Sequence, residues 1–147
     1  MRLAQHIETH IHTGDAADTV TLDYEARFLR RKRLVSDAGE PFLVELAETR
    51  SLNQGEGFRL DDGRIIAVMA AAEPLLAVRH GNLARIAWHV GNRHPPCQIA
   101  DDHILIREDK VLQAMLEKLG ASVTQVTAPF TPEGGAYGHG RTHGHEH

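Results

Sequence analysis

The stretch "GNLARIAWHVGNRHPPCQIADDHILIRE", residues 81–108, contains the change of hydrophobic period that decides the fold. Four apolar residues lie at i, i+3, i+4 and i+7, which is one face of a helix: Leu83, Ile86, Ala87 and Val90. Gly91 and Asn92 favour the end of that helix, and Pro95 keeps His94 out of the right-handed helical region. The remainder, residues 97–108, is typical of a strand, an Asp–Asp turn and a second strand.

The segments around this stretch complete one recurring plan. "PLLAVRH", residues 74–80, is a short apolar strand, and "SVTQVTAPF", residues 122–130, is the last strand. Between them, "DKVLQAMLEKLG" predicts a second helix that ends at Gly120 and has the apolar stripe Val111, Leu112, Met115, Leu116 and Leu119. The order β-α-β-β-α-β predicts a ferredoxin-like domain over residues 73–133.

The first half of the chain has strand patterns and no helical period before residue 80. Residues 19–36 have apolar residues at many alternating positions, and residues 37–39, Asp-Ala-Gly, supply a turn into a return strand. Asp62-Gly63 repeats this device. We therefore predict an α+β protein with a small all-β domain over residues 1–72, the ferredoxin-like domain, and a disordered tail over residues 134–147.

Composition restricts the classes of function. A formal net charge of −4 argues against a nucleic-acid partner, and no stretch is apolar enough to span a membrane. The amino terminus lacks the apolar core of a signal peptide, and Cys97 is the only cysteine, so we expect a cytoplasmic protein. A basic run interleaved with apolar residues predicts a charged strand face for a protein partner: Arg27, Arg30, Arg31, Lys32 and Arg33.

Histidine is the compositional outlier, with 11 residues against 7 Phe, Tyr and Trp together (4, 2 and 1). The tail alone holds four histidines among five glycines, namely His139, His143, His145 and His147. A flexible backbone brings several imidazoles to one ion, so the tail predicts metal binding. Irregular spacing distinguishes it from a run of consecutive histidines.

Two histidines flank the end of the first helix. His94 is the main candidate ligand, because the prolines after it fix its backbone, and His89 is a weaker candidate that also fits a partly buried structural histidine. One imidazole cannot hold a transition metal tightly, but two copies at a two-fold dimer axis can. Cys97 fits a soft ligand or a small core residue. His10 and His12 are placed on one face of a strand, where they fit ligands or a solvated surface.

Catalytic motifs are missing from the sequence. It contains no HExxH, GxSxG, P-loop or GxGxxG, and Asp101-Asp102 with His103 sits in a turn where Asp is common. The missing motifs disfavour a metal-dependent hydrolase, and we predict that the chain is not an enzyme. The alternative from another class is a protein-binding adaptor of a metalloenzyme assembly complex, in which the histidines are incidental.

These features together resemble the UreE family of urease accessory proteins, which are nickel metallochaperones. The resemblance rests on "WHVGNRHPPCQI" with its Gly-Asn-Arg-His core, residues 91–94, and extends over roughly residues 20–147. It implies a β-rich amino-terminal domain for protein contacts and a ferredoxin-like domain that forms a homodimer. His94 of each chain would then bind Ni(II) at the dimer interface, where Zn(II) or Cu(II) compete.

The resemblance also implies partners, and this chain departs from the family pattern just before the second helix. The tail would add ligands and help to pass nickel to the urease apoprotein and to accessory proteins including the maturation GTPase. His89 occupies a position that is histidine in some members. Other members have further histidines just before the second helix, where this chain has Glu108 and Lys110, so we expect that peripheral site to be absent or altered. The role of His6 is left open.

Overall fold

The computed structural model describes residues 1–134, which form two compact units. The first unit is Met1–Ala71, and the second begins at Ala72. Each unit has its own hydrophobic core.

The first unit is a six-stranded β sheet, as its turn signals and alternating residues predict. Its strands are β1 Arg2–Glu8, β2 Asp18–Leu22, β3 Phe28–Val35, β4 Pro41–Ser51, β5 Gly57–Leu60 and β6 Ile65–Ala70. They lie in the order β2-β6-β5-β1-β4-β3, so β2 and β3 are the edges. The helical content of this unit is one 3₁₀ turn, Thr13–Asp15. Its core is formed by alternate residues of the strands, among them Val20, Leu34, Phe42, Val44, Phe58, Ile66 and Val68.

Both predicted glycine turns are present. The Asp-Ala-Gly turn joins β3 to β4, and Gly39 has a φ of 98°. Gly63 has a φ of 91° between β5 and β6. These are left-handed backbone conformations that glycine adopts without the clash of a Cβ atom, which explains why the chain turns there.

The strand pattern of residues 19–36 covers two strands and the turn between them. The chain leaves β2 after Leu22 and enters β3 at Phe28, and a turn lies between them. Arg27 is only 1 % exposed, because its guanidinium donates to the carbonyl oxygens of Leu22 (2.9 Å) and Leu52 (3.0 Å). It therefore leaves the predicted basic face, whose other four members are exposed on the edge strand β3.

The second unit has the predicted order of elements, β-α-β-β-α-β. These are β7 Ala72–Arg79, α1 Leu83–Asn92, β8 Cys97–Ile99, β9 Ile104–Arg107, α2 Lys110–Lys118 and β10 Ser122–Pro129. The four strands form an antiparallel sheet in the order β10-β7-β9-β8. Both helices pack on its core, which includes Leu76, Val78, Ile86, Val90, Ile104, Ile106, Leu112 and Leu116. This is the ferredoxin-like topology.

Side-chain caps fix where the two helices begin. The Asn82 Oδ1 accepts the backbone N–H of Arg85 (3.1 Å) before α1, and Asp109 Oδ1 accepts that of Leu112 (3.0 Å) before α2. The apolar stripe predicted for α2 holds except at Val111, which is 67 % exposed, whereas Leu112 and Leu116 are buried. Within residues 1–134 no helix has the length and apolar character needed to cross a bilayer.

Candidate metal centre

His94 lies at a fixed and unusual point of the backbone, directly after α1. Arg93 caps the helix, and the His94 N–H donates to the carbonyl oxygen of Gly91 (3.1 Å). Its φ is 62°, in the left-handed region. The position after a helix cap with this conformation is usually glycine, because a Cβ atom is strained there. The side chain is exposed.

The backbone conformation of His94 is strained. A left-handed L-residue costs about 1–2 kcal/mol relative to the right-handed form, although His, Asn and Asp tolerate it better than most residues do. Within residues 1–134, the non-glycine residues with positive φ are His10 and His94. Such outliers cluster at functional sites. Pro95 follows at once, so the imidazole leaves a backbone with little freedom.

The helix α1, which ends just before His94, has an exposed face. Trp88 is 66 % exposed, and Gly91 and Asn92, three and four residues later, are exposed on the same side of the helix. A Cβ atom added at Gly91 would meet nothing within 4 Å, so the space above this face is open. The sequence reasoning missed Trp88 as a surface residue. Its position outside the apolar stripe of the helix was the available signal.

His89 has a different environment from His94. It is half-buried, and its ring meets the Trp88 ring edge to face, with centroids 5.0 Å apart and planes at 88°. It also stands in the last turn of α1. The ring contact gives His89 a structural role, in addition to any role as a metal ligand.

Cys97 behaves as a small core residue. It is half-buried on β8 and packs against the core of the second unit. Burial raises the pKa of its thiol, and the nearby Glu133 carboxylate adds to this rise because it repels a thiolate. A metal binds the thiolate, so the raised pKa opposes the role of soft ligand.

The other histidine candidates are dispersed. His10 and His12 do not share a strand face, because β1 ends at Glu8 and both residues follow it; that prediction is wrong. His6 is exposed on β1. His103 Nδ1 lies 2.6 Å from Asp102 Oδ1 in the turn between β8 and β9. This hydrogen bond holds the pKa of Asp102 below its ordinary value.

No complete set of metal ligands is assembled within residues 1–134: no three His, Cys, Asp or Glu side chains converge there on a common point. The peripheral position before α2 is occupied by structural contacts, since Asp109 caps the helix and Glu108 accepts from Gln125 Nε2 (3.1 Å). The tail candidates His139, His143, His145 and His147 lie outside the described residues.

The chain combines a β unit, a ferredoxin-like unit and an exposed histidine directly after the first helix, and comparison with known proteins identifies the class of accessory proteins to which it belongs. Residues 2–71 match the family model for the amino-terminal domain of the urease accessory protein UreE, and residues 73–147 match that for its carboxy-terminal domain. The chain belongs to the UreE family. This is a family of accessory proteins, distinct from the catalytic urease itself.

Individual relatives agree with the family models. The urease accessory protein UreE of Ruegeria pomeroyi is 57 % identical over 136 residues, which cover 92 % of this chain and 91 % of the relative. That of Rhodobacter capsulatus is 60 % identical over 132 residues (90 % and 84 %). That of Paracoccus denitrificans is 62 % identical over 123 residues (84 % and 79 %). Similarity of this extent includes both units.

Proposed function

We propose that this protein binds Ni(II) and delivers it to the urease apoprotein during maturation of the urease active site. The observation that carries the proposal is the exposed His94, held in a left-handed conformation where glycine is favoured. Membership of the UreE family supplies the context of urease maturation. Nickel here is cargo, so the site must both bind the ion and release it.

His94 binds the ion in a homodimer. A two-fold axis beside the end of α1 brings the two copies of His94 together and so supplies two imidazoles from one residue type. The exposed face of Trp88, Gly91 and Asn92 is the surface that would form the contact, because a large exposed aromatic residue beside open space is typical of protein interfaces. Imidazole suits nickel, zinc and copper alike, so Zn(II) and Cu(II) compete.

The tail histidines complete the coordination and raise the number of ions carried. The acceptors are the urease apoprotein and the other accessory proteins, including the maturation GTPase, in the cytoplasm. No catalytic step on the ion is required, so the chain acts as a chaperone and not as an enzyme.

Activation of urease under limiting nickel tests this function. Purified apo-urease and its other accessory proteins are mixed with one equivalent of Ni(II) per active-site metal position and a competing chelator, with and without this protein. We expect faster and more complete activation with the protein, and no gain with a variant in which His94 is replaced by glycine. Equal activation by both proteins would support the alternative of a protein-binding adaptor with incidental histidines.

A further inference from the structure

The edge strand β3 of the first unit contains a run of four exposed cations, Arg30, Arg31, Lys32 and Arg33. No ion pair formed within residues 1–134 includes a member of this run. The one side-chain hydrogen bond described for the run joins Arg30 Nε to the carbonyl oxygen of Leu46 (3.4 Å), a neutral group. The run therefore concentrates positive charge at one edge of a chain whose net charge is −4.

The neighbouring strand β4 supplies little negative charge to balance the run. Glu45 lies opposite Arg31, but the two residues of β4 opposite Lys32 and Arg33 are apolar. Opposite charges on adjacent strands stabilise a sheet, whereas an apolar residue leaves the charge of a cation uncompensated. The sheet thus leaves a surplus of positive charge on β3, in a position to attract an anionic partner.

The backbone of β3 is a second feature of this edge. Within residues 1–134, β4 pairs with one side of β3 and no strand pairs with the other side. The pairing with β4 keeps a single register from Arg31 to Val35, which is about 17 Å of regular extended strand. An edge of this kind accepts a further strand, because its backbone N–H and C=O groups pair with those of an extended peptide. A nucleic acid or a lipid headgroup lacks the groups that continue this ladder.

Exposed apolar side chains stand at both ends of β3. Phe28 is 42 % exposed and Val35 is 48 % exposed. In the first unit, the other large apolar residue of comparable exposure is Met1. Apolar contacts beside charged ones let a partner bury area as well as neutralise charge, which is how protein interfaces combine affinity with specificity.

We propose that β3 is a docking edge for an acidic, extended segment of a partner protein, which joins the six-stranded sheet as a further strand. The carboxylates of that segment lie beside Arg31, Lys32 and Arg33, and its apolar residues contact Val35. The inference does not depend on nickel binding, because β3 belongs to the first unit and His94 to the second.

A simpler role for the cations is to guard the edge, since Lys and Arg on an edge strand oppose unwanted pairing. Repulsion of this kind excludes a second copy of β3 as the occupant, because four cations would then face four cations. The two roles differ in what they predict for an acidic strand. A guard requires only repulsion between like charges, whereas a docking edge binds the acidic strand through its backbone as well as its charge.

The test uses the full chain and three probes. The first is the capped peptide Val-Val-Glu-Glu-Glu-Val-Val, whose pattern is the same in both strand directions. The second is the same peptide with N-methylated Glu residues, which keeps the charge but loses the backbone donors of a strand. The third is an oligouridylate with three phosphates, which carries the charge without a peptide backbone. Binding is measured by calorimetry at low ionic strength, and amide exchange is followed along β3.

Two charge-reversal variants locate the binding. Lys32→Glu/Arg33→Glu reverses the two cations that lie opposite apolar residues of β4. Lys110→Glu/Lys118→Glu is the matched control, because it makes the same change in net charge at exposed positions of the second unit. The comparison of the three probes on the parent chain needs no variant, so it decides the question even if a reversal disturbs folding.

We expect the unmodified peptide to bind the parent, to slow amide exchange in β3, and to bind Lys32→Glu/Arg33→Glu at least about tenfold more weakly. The N-methylated peptide and the oligouridylate should bind the parent at least about tenfold more weakly than the unmodified peptide does. The control variant should match the parent. Failure of the parent to bind the peptide, equal binding of either other probe, or an equal loss in the control variant would overturn the docking edge.

Discussion

Replacing His94 with glycine is expected to weaken tight Ni(II) binding by at least about 100-fold and to stabilise the folded chain. At a two-fold site the substitution removes two imidazoles at once, and each tenfold loss corresponds to about 1.4 kcal/mol. Glycine also relieves the left-handed conformation at a φ of 62°, which should raise the free energy of unfolding by about 1 kcal/mol. Calorimetric titration and denaturant unfolding measure the two effects.

Two further substitutions separate the ligand from the strain. His94→Asn removes the imidazole but tolerates the left-handed conformation, so it should lose the metal without the full gain in stability. His6→Ala, on an exposed strand position of the other unit, should change neither quantity. Parent-like nickel affinity in the glycine variant would refute the assignment of His94.

Replacing Trp88 with alanine is expected to raise the dissociation constant of the homodimer by at least about 30-fold. A large aromatic residue at the centre of an interface typically contributes 2 kcal/mol or more. Because Trp88 is 66 % exposed, its removal costs the isolated unit little packing. Sedimentation velocity over a range of protein concentrations measures the shift. The dimer-dependent nickel site should weaken with it.

Val111→Ala is the matched control for Trp88→Ala. Val111 is 67 % exposed and lies on the other helix of the same unit, so it tests whether any exposed apolar residue of this unit has the same effect. We expect the control to remain dimeric. Dimers of equal stability in parent and Trp88→Ala would exclude the α1 face as the interface.

The fold was predictable from the sequence where the spacing of the apolar residues and the turn-forming residues indicated the same elements. The face of Leu83, Ile86, Ala87 and Val90 predicted α1 because a helix, unlike a strand, brings residues three and four apart onto one side. Gly39 and Gly63 predicted hairpins because a left-handed backbone there favours glycine. The alternation of residues 19–36 continues through Tyr24, so the pattern does not mark the turn between β2 and β3 in which Tyr24 is buried.

The sequence predicted which residue is the main candidate ligand, His94, but not the backbone conformation that this residue adopts. Pro95 excludes a right-handed conformation for His94, yet which other conformation it adopts depends on the hydrogen bond to Gly91 that ends the helix. The pairing of Glu133 with Cys97 was not predictable, because it joins residues far apart in the sequence. A run of basic residues also does not reveal that Arg27 is buried and that its guanidinium donates to two backbone carbonyl oxygens.

The number of nickel ions held by a chain in which His139, His143, His145 and His147 are all replaced by glutamine tests most directly whether two copies of His94 share one ion. A residue at a two-fold axis supplies its two copies to a single site. Titration should therefore give one tightly bound ion per two chains, and that binding should disappear in the combination with His94→Gly. One tight ion per chain, or tight binding that survives the His94 substitution, would contradict the account.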